Sequence, residues 1–314
     1  MPGMRIVFMG TAELACPILR ALHRGTEVVA VVTQPDRPKG RNLQLQFSPV
    51  KSTALELKIP VLQPARAREP EFVTALQQIA PELIVVVAYG QILPPTILNI
   101  PRLGCINVHT SILPKFRGAA PIQWALLNGE SKTGVTIMKM DEGLDTGPIL
   151  QIKETPITDS DNAETLHDRL AQLGAEIIVP TIEGYAVGHI QPQTQPAEGS
   201  SYARKITRED GQIDWKKPAT TIWNQVRAFT PWPGGYTFQA AEGKRRLLKI
   251  WRALPDPKQN GAPGEVIELD KKGVVIRCGE QALRVTELQR EGGRRTTAQE
   301  FISGNNIRAG ELLG

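Results

Sequence analysis

Asn107 and His109 stand two residues apart in GCINVHTSILPKFRGAAP, residues 104–121. Side chains two apart on a β-strand share a face, so a strand over 105–110 sets an amide beside an imidazole. The amide can donate to an oxygen that gains negative charge. A neutral imidazole can take a proton from an attacking amine or give one to a leaving group. With both in place a substrate amine can attack directly, and no serine or cysteine nucleophile is required. A carboxylate is the natural third group, to orient the ring and set its charge state. MDEGLDTGPIL, residues 140–150, offers Asp141, Glu142 and Asp145, the last in a tight turn with glycines on either side. Asp favours such turns on its own account, so spacing alone leaves a plain turn role open for Asp145, as it leaves a core role open for His109. His23 and His167 lie in amphipathic helical patterns and His189 in a Pro-rich stretch, ordinary settings for histidine.

The elements that must carry these residues are legible as apolar runs. RIVFMG (5–10), EVVAVVT (27–33), ELIVVVAYG (82–90), CINVHT (105–110), GVTIMKM (134–140) and PILQIKE (148–154) read as strands. TAELACPILRALHRG reads as a helix stopped at Gly25. A long helix is predicted from Asp161, where Asp161 and Glu164 have capping-box spacing and Leu166, Leu170, Leu173 and Ile177 form an apolar stripe. β-branched runs separated by helices predict a Rossmann-like α/β domain with a parallel sheet covered on both faces. Ligands of such sheets bind beyond the carboxyl ends of the strands, where Asn107 and His109 fall. The first strand–turn–helix has one glycine, Gly10, in place of the three of a dinucleotide fingerprint. The P-loop, H-E-x-x-H and G-x-S-x-G patterns are absent.

At 314 residues the chain exceeds one typical domain. A Pro-, Gln- and Ser-rich stretch, GHIQPQTQPAEGSSYA, suggests a linker over 191–207 between a catalytic domain, 1–190, and a second domain, 208–314. In the second part TTIWNQVRAF (220–229) fits an amphipathic helix, and short alternating segments follow. GYTFQA, RRLLKIWRA, GEVIELD, GVVIRC and ALRVTEL predict a small antiparallel OB-like β-barrel. Thr297 and Glu300 have capping-box spacing before a last helix. Charge divides along the same line: residues 1–203 carry 17 Lys+Arg against 19 Asp+Glu, residues 204–314 carry 20 against 13. A neutral part joined to a basic part points to a polyanionic partner, nucleic acid first. Cys16, Cys105 and Cys278 are far apart, giving neither a disulfide framework nor a zinc site, so no metal is expected. There is no apolar run near membrane-span length and no signal-peptide layout, so a cytoplasmic protein without membrane contact is expected.

INVHTSILPKFRGAAPIQWAL followed by GVTIMKMDEGLDTGPIL closely resembles the folate-dependent formyltransferases. Their hallmark is Asn-x-His, Ser-Leu-Leu-Pro, and an Asp in a Gly-Leu-Asp-Thr-Gly loop. Here Asn107, His109, the Ser111-Ile112-Leu113-Pro114 segment and Asp145 match it, with Ile112 the one departure and a size-conserving one. TQPDRPKGR, VVVAYGQILP, RLGCINVH and RAFTPWPGG extend the resemblance over essentially the whole chain, closest to members acting on initiator methionyl-tRNA. The resemblance implies 10-formyltetrahydrofolate as co-substrate and the α-amine of tRNA-borne methionine as acceptor. It implies catalytic roles for Asn107, His109 and Asp145. It also implies a folate pocket lined by Ser111, Ile112, Leu113 and Pro114 and by Tyr89, Gly90 and Leu93 of AYGQIL. The long loop 33–51 carries Arg37, Lys39 and Arg41, of which Arg41 matches the family's key arginine for the tRNA acceptor end. NLQLQ follows it where family members often have further lysines. Lys244 and Arg245 are the candidates for phosphate contacts in the basic part, and a monomer suits a tRNA-sized partner. Sugar-nucleotide N-formyltransferases, acting on UDP-amino-sugars, are the alternative enzymes of the same family. An RNA-binding OB protein with a degenerate α/β domain is the non-enzymatic one.

Overall fold

The computed structural model describes residues 3–39, 44–241, 244–304 and 306–314. The apolar runs become β1 (Arg5–Gly10), β2 (Glu27–Val32), β3 (Val61–Leu62), β4 (Leu83–Val87), β5 (Cys105–His109), β6 (Lys132–Lys139) and β7 (Ile149–Pro156). They form one sheet in the order β7-β6-β5-β4-β1-β2-β3. The five strands from β5 to β3 run parallel, whereas β6 and β7 extend one edge antiparallel. The alternation of β7 and the short connection 140–148 both mark an antiparallel β6–β7 pair, a signal that the expectation of a parallel sheet passed over. The helix between β5 and β6, in contrast, gave no hint that β6 runs against β5.

Helices α1 (Ala15–Gly25), α2 (Pro49–Glu56) and α3 (Pro70–Ile79) connect the first strands. On one sheet face Val7, Met9, Ala30, Val32, Ile84, Val86 and Cys105 cluster with Phe72 and Leu76 of α3. Burying such side chains contributes about 1.5–3 kcal/mol each, which fixes the strand that carries the site. Helix α4 (Pro121–Leu127) lies between β5 and β6 in the chain. Helix α5 (Ala163–Ala186) passes so close at Gly174 that an added Cβ would sit 3.0 Å from Ile18 and 3.3 Å from Val108. Its cap falls one residue later than the spacing predicts. Asn162 Oδ1 accepts from Thr165 N at 2.9 Å while Thr165 Oγ1 accepts from Asn162 N at 3.0 Å. Asp161 is instead buried and binds the Thr158 amide and hydroxyl.

The basic part holds α6 (Ala219–Ala228), then β8 (Gly235–Ala241), β9 (Lys244–Asp256), β10 (Val266–Asp270), β11 (Gly273–Arg277), β12 (Ala282–Arg290) and β13 (Arg295–Thr297). These strands are antiparallel in the order β8-β9-β12-β11-β10, with β13 also on β12. The chain's last residues tie the two edges together: Leu313 bridges Gln239 of β8, and Leu312 bridges Glu265 beside β10. Leu313 N donates to Gly264 O and Gly314 N to Phe238 O, each at 2.9 Å. The sheet thereby closes on itself around Trp215, Ile222, Val226, Leu248, Ile250, Leu283, Val285 and Leu313. Helix α7 (Ala298–Ser303) starts on the expected capping box of Thr297 and Glu300.

The chain clusters into two compact units. One comprises Met1–Pro121, Lys132–Pro156 and His167–Ala203, the other Ile122–Ser131, Ile157–Leu166 and Arg204–Gly314. Two segments inside 1–190 thus belong with the basic part, because Trp124 Nε1 donates to Arg204 O and Arg227 Nη1 donates to Thr158 O. Within the stretch 191–207, expected as a linker, Gln193 pairs with Ile149, and Tyr202–Ala203 pair with Arg117–Gly118. Among the described residues no helix is long and apolar enough to cross a membrane.

Candidate active site

Strand β5 leaves the core where the site begins. Cys105 is buried in the cluster against α3, and burial pushes its thiol up to about 12, so it offers no thiolate. Asn107 and His109 continue the same face, Asn107 between Val86 of β4 and Met138 of β6. β6 ends at Lys139, opposite Ile106, so the loop that follows folds back over this face and delivers Asp145 to both side chains. Asn107 Nδ2 donates to Asp145 Oδ1 at 3.3 Å, and His109 Nδ1 lies 3.7 Å from Asp145 Oδ2. His109 is 6% exposed, and its Nε2 is 2.9 Å from the Phe116 carbonyl, so Nε2 carries a hydrogen. The 3.7 Å gap exceeds hydrogen-bond length, which leaves Nδ1 unlocked and makes the pair ionic only when the ring bears both hydrogens. The structure thus brings together the three residues that the sequence singled out.

The Asp145 turn is tightly built. Asp145 has φ 53°, in the left-handed region, which costs a non-glycine residue roughly 1–2 kcal/mol. A Cβ on Gly147 would lie 1.8 Å from the Lys139 carbonyl oxygen, so only glycine fits against β6 there. Asp141 organises the turn's start, accepting from Gly143 N at 3.0 Å and Thr146 Oγ1 at 2.7 Å. Gly118 N donates to Asp145 Oδ2 at 2.7 Å. The Phe116 carbonyl and the Gly118 amide were missed by sequence reasoning, because backbone groups carry no residue-type signal. Gln195, which binds the Asp145 and Gly147 carbonyls, was missed because it lies 50 residues away in a stretch read by composition alone.

The remaining candidates divide. Ser111 is fully buried and donates to Lys115 O, while Thr136 Oγ1 accepts from Leu113 N and donates to Ser111 O. The Ser111–Pro114 loop is therefore fixed on β6, with Leu113 buried, Ile112 partly exposed and a cis peptide before Pro114. Tyr89 and Leu93 are not surface groups. Both are core residues against α3, and burial pushes the Tyr89 phenol up to about 12. Its hydroxyl has no partner among the described residues. What this segment presents outward is the Gly90 backbone, at φ 85°, and Ile92, which is 85% exposed.

Arg37 is exposed in a short antiparallel pairing of Arg37–Lys39 with Gln44–Gln46, near the exposed apolar side chains of Leu45 and Phe47. Lys51 and Gln63 hold the Asp36 carboxyl below the usual range at the base of this loop. Lys39 is described in its backbone only, and Arg41 lies outside the described residues. Lys244 and Arg245 are exposed at the start of β9, Arg245 with its guanidinium 4.4 Å over the Phe238 ring. Among the described residues no group of three His, Cys, Asp or Glu side chains converges as a metal site would need.

Comparison with known proteins covers both units. Residues 4–182 match the family described as formyl transferase, and residues 205–306 match formyl transferase, C-terminal domain. The methionyl-tRNA formyltransferase of Citrifermentans bemidjiense is 50% identical over 315 residues, 100% of this chain and 98% of that one. That of Caldanaerobacter subterraneus is 50% identical over 313 residues, 99% and 100% of the two chains. Among solved structures, the N-formyltransferase of Helicobacter canadensis in complex with folinic acid and dTDP-3-aminofucose has a TM-score of 0.65 at 20% identity, covering 92% of this chain and 100% of that one. That last likeness is one of fold. The two family matches, taken with full-length relatives at half identity, show that this chain belongs to the formyl transferase family.

Proposed function

We propose that the chain transfers the formyl group of 10-formyltetrahydrofolate to the α-amino group of methionine on initiator tRNA. The observation that carries this reading is the meeting of Asn107, His109 and Asp145 on one face of β5, in a chain half identical over its length to methionyl-tRNA formyltransferases. A sugar-nucleotide acceptor is the weaker choice, since the sugar-nucleotide relative shares only 20% of residues. A folate co-substrate is supported by the chemistry of two segments: the Ser111–Pro114 loop fixed on β6, and the Gly90–Ile92 stretch with an exposed isoleucine beside the Gly90 backbone. Both offer apolar surface with a few polar groups, of the kind a flat ring system takes.

The folate supplies a formyl group on nitrogen, and this chain's residues act on its transfer. The Asn107 amide has two hydrogens. One goes to Asp145 Oδ1, and the second serves the formyl oxygen as charge develops there. His109 is held at Nε2 by Phe116 O and at a distance from Asp145 by Nδ1. It shares in that oxyanion stabilisation when protonated and moves the proton between amine and leaving nitrogen. Phe116 O orients the ring through Nε2, and Asp145 balances its charge. Asp145 is only 12% exposed at its side chain, so its field is poorly screened.

The N-terminal loop, with Arg37, Lys39 and Arg41, guides the acceptor end of the tRNA, and Lys244 and Arg245 in the C-terminal domain hold the tRNA by phosphate contacts. One copy of the chain suffices, and translation initiation places it in the cytoplasm. The deciding assay offers purified protein, 10-formyltetrahydrofolate, charged initiator tRNA and a UDP-amino-sugar. Formyl transfer to the tRNA alone is expected, and transfer to the sugar alone would overturn the reading.

A further inference from the structure

The two loops that meet at His109 are fastened by one side chain from a third segment. Gln195 is buried, 8% exposed. Its amide nitrogen donates to the Asp145 carbonyl at 2.9 Å and to the Gly147 carbonyl at 2.8 Å. Its amide oxygen accepts from Arg117, Nη2 at 2.7 Å and Nε at 3.2 Å. The residue after Arg117 is Gly118, whose N–H donates to the Asp145 carboxylate. Asp145 is therefore gripped twice from one dipeptide: at its carboxylate directly by Gly118, and at its peptide carbonyl by Arg117 acting through Gln195.

This grip meets a need. Asp tolerates φ 53° better than most residues but does not prefer it to ordinary backbone, and such conformations persist where the surroundings over-determine them. Both N–H groups of Gln195 are spent on the turn and its oxygen on Arg117, so its orientation is fixed as well. The segment is tied on both sides of it. Gln193 exchanges backbone hydrogen bonds with Ile149 at 2.7 and 2.8 Å, and Ser201 Oγ accepts from Phe116 N at 2.9 Å. Phe116 is the residue whose carbonyl meets His109 Nε2. Residues 193–203 thus secure both groups that face the imidazole.

We propose that Gln195 and Arg117 are positioning residues for the transfer reaction, acting through Asp145 by fixing the turn that aims its carboxylate at Asn107 and His109. The inference rests on the role assigned to Asp145 above. Gln195→Glu separates positioning from packing, because it keeps the size and the acceptor for Arg117 but removes both donors to the turn. Turnover, both KM values, the thermal midpoint and the ¹⁵N signals of the His109 ring are measured for wild type, Gln195→Glu, Arg117→Lys and Asp145→Asn.

For Gln195→Glu a fall in kcat of roughly tenfold to a hundredfold is expected, with KM for both substrates within about threefold and a shifted Nδ1 signal. Arg117→Lys should move the same way by less, and it stands in should Gln195→Glu not fold. A kcat within about twofold of wild type overturns the inference. So does a loss of kcat that follows the thermal midpoint while the ring signals stay in place. Full turnover in Asp145→Asn would remove Asp145 from the reaction and the inference with it. Lost turnover there beside an unaffected Gln195→Glu would overturn the inference alone.

Discussion

Asp145 meets three groups at once: the Gly118 amide at 2.7 Å, the Asn107 amide at 3.3 Å and the His109 ring at 3.7 Å. The shortest contact is structural and the two longer ones involve the proposed reacting groups, which leaves those free to tighten when substrate arrives. Asn107→Ala and His109→Ala should each lower kcat/KM by about 10²–10⁴. Circular dichroism should show both variants folded, since each side chain sits at the end of the core rather than inside it. Turnover near wild type in either variant would take that residue out of the mechanism. Tyr89 carries the opposite expectation. Its side chain is 2% exposed in the core, with a hydroxyl that finds no partner among the described residues. Tyr89→Phe should leave KM for the folate unchanged and hold or raise the stability to unfolding, by up to about 1 kcal/mol of relieved desolvation. A raised KM would return the ring to the pocket.

At the scale of elements, what was legible in the sequence is what local spacing controls. The strand carrying Asn107 and His109 shows itself through period two, and the Thr297–Glu300 capping box through spacing of three. The cap at the start of α5 slipped by one because Asp161 and Asn162 are both capping types, and only the buried contacts of Asp161 separate them. Non-local pairings left no such trace: the antiparallel pairing of β5 with β6, Gln195 on the Asp145 turn, and the tail that closes the C-terminal sheet. Leu313 is the clearest case. Its neighbours Gly264 and Gln239 are far off in sequence, yet it is 3% exposed within the cluster that fills the sheet. An added Cβ on Gly264 would sit 2.5 Å from the Leu313 carbonyl oxygen, so backbone and tail are in tight register there. Leu313→Ala should cost about 2–5 kcal/mol in thermal or denaturant unfolding of the C-terminal unit. A loss below about 0.5 kcal/mol, the scale of a surface change, would mean that the tail does not close the core.

For the molecule as a whole the decisive quantity is where the charge lies. Residues 204–314 hold 20 Lys+Arg against 13 Asp+Glu, while residues 1–203 hold 17 against 19. Phosphate contacts of the kind proposed for the basic part would position an RNA without reading it, and affinity built on them falls as salt displaces them. Each neutralised phosphate on a duplex stem adds about 0.9 to the slope of log K against log salt. Lys244→Ala combined with Arg245→Ala should therefore flatten that slope by about two and weaken tRNA binding, with kcat at saturating tRNA kept. Arg245→Lys separates charge from ring stacking, since it keeps the former and weakens the contact with Phe238, 4.4 Å away. Arg41→Ala should do the reverse of the pair: turnover on charged tRNA falls while binding and its salt slope change little, because the role proposed for Arg41 is to guide the acceptor end rather than to hold the stem. If the Lys244 and Arg245 variants lose kcat with an unchanged slope, or the Arg41 variant loses slope with full kcat, the division of labour between the two parts is the wrong way round.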